Sequence, residues 1–223
     1  MATAANQATA NQSLASMDTK LPSKGQAALV AAASGYSVPA ASMLHFSNVI
    51  YAGDSLTAAA WSTYPAWQNA SMRPSKYTNV AAYGKTIEQV LSQQAPLIDA
   101  TYDAGYYKNI AVILGGTNNR TGQSTMSAAD IYANIETLCN ARKAAGFKVV
   151  LCTIPAISGG DAKIDAVNVL IRAGSCYDAL ADLAGDARLY PWSSTYYADA
   201  VHMKRAGYVV LAELVNAAIL TLA

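Results

Sequence analysis

Apolar positions along the chain follow two alternating periods. Short runs that read as strands cover 48–51, 76–80, 109–114, 147–152 and 179–183. The central run Ile110, Ala111, Val112, Ile113, Leu114 has no polar position, which predicts a strand buried on both faces. Between the strands the spacing becomes helical. Ile87, Val90 and Leu91 share one face of a helix over 86–94, and Pro96 begins a new turn. Tyr64, Pro65, Ala66 and Trp67 begin a short helix with proline near its first turn. Ser127 followed by Asp130 forms a capping signal. Behind it Ile131, Ile135, Leu138, Cys139 and Arg142 line one helix face, and Gly146 ends the helix. Ile164, Val167 and Ile171 mark a helix over 161–173; Leu211, Leu214, Val215, Ala218 and Ile219 mark a last one over 205–220. Such alternation predicts an α/β fold with a five-stranded parallel sheet and helices on both faces. Residues at the strands' carboxyl ends then converge on one edge, where a site belongs.

Residues 1–44 break this pattern and form a separate low-complexity arm or linker before a domain over 45–223. The arm is rich in Ala, Ser, Asn, Gln and Thr, is broken by Pro22 and Pro39, and repeats Asn-Gln at 6–7 and 11–12. Leu14, Met17 and Leu21 make one thin helical stripe. An isolated stripe of this kind needs a partner to bury it. The arm therefore reads either as a flexible tail or as an attachment or oligomerisation arm. Its composition resembles the N-terminal regions of some bacteriophage virion proteins, which implies virion attachment as its role.

Of the 223 residues, 53% are hydrophobic and 13% charged, with a formal net charge of +1. A globular chain with no basic cluster is not built for electrostatic capture of nucleic acid or of an anionic membrane. No apolar run approaches the ~20 residues of a membrane span. The segment 27–33 is too short and alanine-rich for a signal peptide, so a soluble protein is expected, acting outside the cell or on a virion if the arm is a virion arm. Cys139, Cys152 and Cys176 lack metal-ligand spacing and read as buried small hydrophobes.

The chemistry centres on Val49-Ile50-Tyr51-Ala52-Gly53-Asp54-Ser55-Leu56. A strand ends in a tight turn and a helix begins, which places Ser55 at a sheet edge and at a helix N-terminus. A serine hydroxyl needs a base, and the base needs an orienting partner. Of two histidines, His45 precedes the first strand and reads as structural or exposed. His202 lies three residues after Asp199, close enough for one loop to present both. Acyl transfer also needs donors for an oxyanion. The Ser55 N–H, the Gly84 N–H and the Asn118 side chain follow successive strands and fit that need. Asp54 reads as a turn residue rather than a second base.

With these blocks in this order, residues from the first strand to the C-terminus resemble the SGNH hydrolases, also called GDSL esterases or lipases. The defining residues match Ser55 in Gly-Asp-Ser-Leu, Gly84, Asn118 in Gly-Thr-Asn, and His202 in Asp-x-x-His. The resemblance implies a flavodoxin-like three-layer α/β/α sandwich. It also implies Ser55 as nucleophile, His202 as general base and acid, Asp199 as its partner, and an oxyanion hole of Ser55, Gly84 and Asn118. No metal or organic cofactor is expected. Two positions depart from the family: Asn119 stands where an aspartate is common, and Ala81 where a glycine is common. The first is expected to alter a supporting hydrogen bond and the second to be tolerated. Tyrosine is abundant, 14 against 2 phenylalanines. Tyr83, Asn119, Tyr196 and Tyr197 are candidate substrate contacts, with Trp192 nearby, and rings with polar tips suit sugar faces. This favours a small acyl group, acetyl foremost, on a carbohydrate, such as a bacterial surface polysaccharide deacetylated during phage attachment. A general short-chain esterase, thioesterase or lysophospholipase is the alternative; a non-catalytic carbohydrate-binding or structural virion module is the reading of another class.

Overall fold

A computed structural model describes residues 47–58, 64–65 and 74–222. The arm over 1–44, His45, and Ala66 and Trp67 of the expected short helix lie outside the described residues; Tyr64 and Pro65 are helical. Five strands form one parallel sheet: β1 (Ser47–Gly53), β2 (Lys76–Asn79), β3 (Lys108–Leu114), β4 (Lys148–Cys152) and β5 (Ala179–Ala181), in the order β2-β1-β3-β4-β5. This is the flavodoxin-like doubly wound order, whose direction of winding switches between β1 and β3. Side chains alternate across the sheet. Val49, Tyr51, Ile110, Val112 and Val150 enter one apolar cluster; Ile50, Ala52, Ala111, Ile113 and Val149 enter the other. Both faces are covered, so the strand sequences carry no polar alternation.

The helices are α1 (Ser55–Ala58), α2 (Ile87–Gln89), α3 (Ala95–Asp99), α4 (Ala128–Ala144), α5 (Ala162–Ala173) and α6 (Arg205–Leu220). Leu211, Val215 and Ile219 of α6 close the first cluster. The second face is covered by Ile87, Ile98, Ile131, Ile135, Ile164 and Val167 from α2 to α5. The cap of α4 forms as its spacing requires: Ser127 Oγ accepts from the Asp130 N–H at 3.1 Å, and the Asp130 carboxylate accepts from the Ser127 N–H at 3.3 Å. All three cysteines are buried and free. Among the described residues no helix is long and apolar enough to cross a membrane.

Two elements differ from their sequence patterns. The helix expected to stop before Pro96 continues to Asp99 through a π-helical turn, Val90–Gln94, in which the Ala95 N–H bonds to the Val90 carbonyl. Proline has no N–H to donate and its ring crowds a preceding carbonyl, and a widened turn relieves both demands. Strand β5 ends at Ala181 because Asp182 is held elsewhere. Its carboxylate accepts from Thr153 Oγ1 at 3.0 Å and from Arg172 Nη2 at 2.8 Å, and a 3-10 turn, Leu183–Gly185, follows.

At the carboxyl edge Gly53 stands opposite Leu114. Its φ is +144°, and a Cβ there would lie 1.8 Å from the Leu114 carbonyl oxygen. The chain can leave β1 at this point only because residue 53 has no side chain. Gly53→Ala is expected to destabilise the fold by more than about 3 kcal/mol, read as a lower urea midpoint at unchanged m-value, or as loss of soluble protein.

Candidate active site

Beyond Gly53 the chain turns directly into α1. The Asp54 carbonyl accepts from the Thr57 and Ala58 N–H groups at 3.1 and 3.0 Å, and Asp54 Oδ1 accepts from the Leu56 N–H at 3.0 Å. Asp54 thus caps the turn on which Ser55 sits, as a turn residue should. Gln94 holds the turn from behind: its Oε1 accepts from the Gly53 N–H and its Nε2 donates to the Gly53 carbonyl, both at 2.8 Å. The π-helical turn ends on Gln94, whose side chain is buried.

Ser55 Oγ lies 2.9 Å from His202 Nε2, across 147 residues of sequence. His202 Nδ1 lies 2.9 Å from Asp199 Oδ2. Asp199 Oδ1 also accepts from the His202 and Val201 N–H groups at 2.8 and 2.9 Å. Partial burial raises the Asp199 pKa, but these N–H donors and the His202 ring outweigh it and bring the carboxyl down to about 2. A permanently ionised carboxylate therefore faces one ring nitrogen, and the serine faces the other. The loop itself is closed by bonds from the Ala198 and Asp199 N–H groups to the His202 carbonyl at 2.8 and 3.4 Å.

Asp54 is shifted the other way. It is fully buried, and burial raises its carboxyl to about 6, although the Leu56 N–H, Thr117 and His202 all favour the ionised form. Thr117 acts from close by without meeting hydrogen-bond geometry: Asp54 Oδ2 and Thr117 Oγ1 pair with nothing among the described residues.

The loops after β2 and β3 converge on the same turn. Gly84 has φ +69°. Among the described residues no hydrogen bond takes up its N–H or that of Ser55. Asn118 Nδ2 donates one hydrogen to the Lys85 carbonyl at 3.0 Å, and Arg120 Nη1 at 3.3 Å holds Asn118 Oδ1, which fixes the amide's orientation and leaves a second N–H. Asn79 Oδ1 accepts from the Ala81 N–H at 3.0 Å while its Nδ2 donates to the Thr57 carbonyl at 2.7 Å, which ties this loop to α1.

The GDSL-like Lipase/Acylhydrolase family matches residues 51–210. The chain belongs to that family. No curated protein sequence matches it. Among solved structures it is similar to TesA, at 22% identity over 79% of this chain and 99% of that one, with a TM-score of 0.63. It is similar to the lipase/acylhydrolase from Enterococcus faecalis at 19% identity, 78% and 95% coverage and a TM-score of 0.62. It is also similar to an acetyl xylan esterase, AlAXEase, at 20% identity, 75% and 96% coverage and a TM-score of 0.61. At these identities the structures establish the shared fold, and the family match makes the chain an acylhydrolase of the esterase and lipase type.

Within this GDSL-family fold the four sequence blocks meet at one sheet edge, but the candidate substrate contacts separate. Tyr83, next to Gly84, is 68% exposed. Tyr196 is half-buried. Tyr197 is buried, and its hydroxyl donates to the Leu189 carbonyl at 2.7 Å, so its polar tip points into the fold rather than at a ligand. Asn119 is also fully buried. Its Oδ1 accepts from the Ile87 N–H at 2.8 Å and its Nδ2 donates to Glu88 Oε2 at 2.9 Å. It fastens the start of α2 and is no substrate contact. That amide accounts for the departure from aspartate, since a carboxylate at 119 would face Glu88 with like charge.

Gln94 escaped the sequence reading, because a glutamine near a proline in a helical run gives no sign that it will bond a strand end 41 residues earlier. Gln94→Ala leaves two buried backbone groups unpaired and is expected to cost about 2–4 kcal/mol of stability, read by denaturant titration, and to slow labelling of Ser55 by a fluorophosphonate. A second outcome concerns pH. The Asp54 pKa is higher in the folded chain than its ordinary 3.8, so the folded state holds that proton more tightly and loses stability as pH rises from about 4 through 6. Asp54→Asn is therefore expected to be more stable than wild type at pH 7, by at most about 3 kcal/mol, with the gap closing at pH 4. Thermal melts across that range test it.

Proposed function

We propose that this GDSL-family chain hydrolyses a small acyl ester, acetyl foremost, on a carbohydrate, through an acyl-enzyme on Ser55. The observation that carries the mechanism is the continuous hydrogen-bonded series Ser55 Oγ, His202 Nε2, His202 Nδ1, Asp199 Oδ2, with 2.9 Å at each junction. Ser55 Oγ attacks the ester carbonyl as His202 Nε2 takes its proton. The Asp199 carboxylate holds the ring in the tautomer that leaves Nε2 free to accept, and stabilises the imidazolium that forms. Negative charge on the carbonyl oxygen is met by the Ser55 N–H, the Gly84 N–H and the second N–H of Asn118 Nδ2. His202 then gives its proton to the leaving alcohol, and water, activated by the same ring, releases the acid.

The exposed ring of Tyr83 beside Gly84 supports a carbohydrate-borne ester, because an aromatic face with a polar tip suits a sugar. Hydrolysis of p-nitrophenyl acetate and of acetylated glycans, against long-chain p-nitrophenyl esters, tests the reading. Ser55→Ala is expected to keep its fold and lose turnover and fluorophosphonate labelling. Asn118→Ala is expected to lower kcat about 10²–10³-fold. Equal activity in Ser55→Ala defeats the mechanism. Equal or faster turnover of long-chain esters defeats the small-acyl assignment in favour of a broader esterase or lysophospholipase.

A further inference from the structure

We propose that a pocket beside the Asp199–His202 loop binds one pyranose ring of the alcohol part of the substrate. This assignment names the substrate class of the same site and rests on the acyl-transfer reading above. The pocket has a volume of about 240 Å³ and lies between the segment after β4, the first turn of α5 and the segment 190–192. Its walls are fastened to the loop that carries His202. Trp192 Nε1 donates to the Asp199 carbonyl at 2.9 Å, and the Ser158 N–H donates to the Ala200 carbonyl at 2.9 Å. His202 Nε2 must reach the leaving oxygen, so the alcohol extends over the His202 loop, while the carbonyl oxygen turns toward the donors after β2 and β3.

The lining selects the alcohol's chemistry. Ala156, Ile157 and Ile164 give an apolar floor, and Tyr190 and Trp192 give aromatic walls. Trp192 is held from behind by Tyr197, with ring centroids 6.0 Å apart. Asp165 stands at the rim, where one carboxylate oxygen accepts from the Tyr190 hydroxyl. Its other oxygen takes no hydrogen bond among the described residues, and the residue is exposed. A sugar ring satisfies all of these groups: its C–H face lies on an aromatic wall and its hydroxyls donate to the carboxylate. An alkyl chain would cover the floor and strip water from Asp165 without replacing it. A phosphate-bearing alcohol would meet the carboxylate with like charge. The volume is below the roughly 300–1,000 Å³ of pockets that enclose drug-sized ligands, so one ring enters and the remainder of a glycan stays in solvent.

Binding is separated from hydrolysis by titrating Ser55→Ala protein with methyl pyranosides and following the Trp192 indole N–H by nuclear magnetic resonance, that signal being identified by its loss in Trp192→Phe. The signal is expected to shift on titration, and Asp165→Ala is expected to weaken the titration about tenfold, as loss of a hydrogen bond to a charged group does. In the Ser55-containing enzyme, Asp165→Ala is expected to lower kcat/KM for acetylated methyl pyranosides about tenfold more than for p-nitrophenyl acetate. An indole signal unmoved by every pyranoside, or an equal loss on both substrates, while Ser55-dependent hydrolysis of p-nitrophenyl acetate persists, overturns the pocket assignment and leaves the esterase reading standing. A shifted signal without Ser55-dependent hydrolysis defeats the esterase reading and supports the pocket as a sugar site.

Discussion

The carboxyl ends of β1 and β3 approach so closely that a side chain at residue 53 would overlap the Leu114 carbonyl. The chain must leave the sheet there with a backbone that only glycine adopts readily, and it passes at once into α1. Ser55 is therefore lifted above the sheet edge at the point where the winding of the sheet reverses. Gln94 makes this exit rigid, because an amide both donates and accepts and so satisfies both backbone groups of Gly53. The π-helical turn that accommodates Pro96 belongs to the same construction, since Gln94 is its last residue.

Two neighbouring carboxylates show how position alone sets chemistry on this edge. Asp54 is sealed beneath Ser55 and moves up to about 6; Asp199 stands at the surface, collects N–H donors and moves down to about 2. Asp54 gives up its proton only as pH rises through about 6, whereas Asp199 stays ionised well below that and faces the imidazole directly. The side chains of His202 and Asp199 are 42% and 56% exposed. Solvent screens an ion pair so placed, so Asp199 acts chiefly by orienting the ring through hydrogen bonds.

Neutral amides join the separate loops into one site. Asn79 links the loop after β2 to α1, Asn118 bonds the Lys85 carbonyl, and Asn119 bonds the start of α2. Gly84 and Asn118 are held relative to each other by these contacts, although they come from different strands. Trp192 and Ser158 extend the same construction toward β4 and β5 by fastening the His202 loop.

Much of this was determined by the sequence itself. Uninterrupted apolar runs such as Ile110 to Leu114 require a sheet covered on both faces, and the 3.6-residue spacing from Ile131 to Arg142 requires a buried helix face; both are local periodicities and survive any tertiary arrangement. The cap at Ser127 and Asp130 is local for the same reason, whereas the exit at Gly53 needs glycine because of the Leu114 carbonyl on the neighbouring strand. The junction of Ser55, Asp199 and His202 was legible as a set of residue types in order, because the alternation of strands and helices brings strand ends to one edge. Tertiary structure alone decided what those residues touch. Asn119 and Tyr197 are polar and lie near site segments in sequence, yet the fold turns their polar atoms inward, where unpaired backbone groups need them. Gln94 acquires its role from a strand 41 residues away, and Asp182 shortens β5 by binding Thr153 and Arg172. Such hydrogen bonds depend on distances between segments, and a sequence pattern carries no distances.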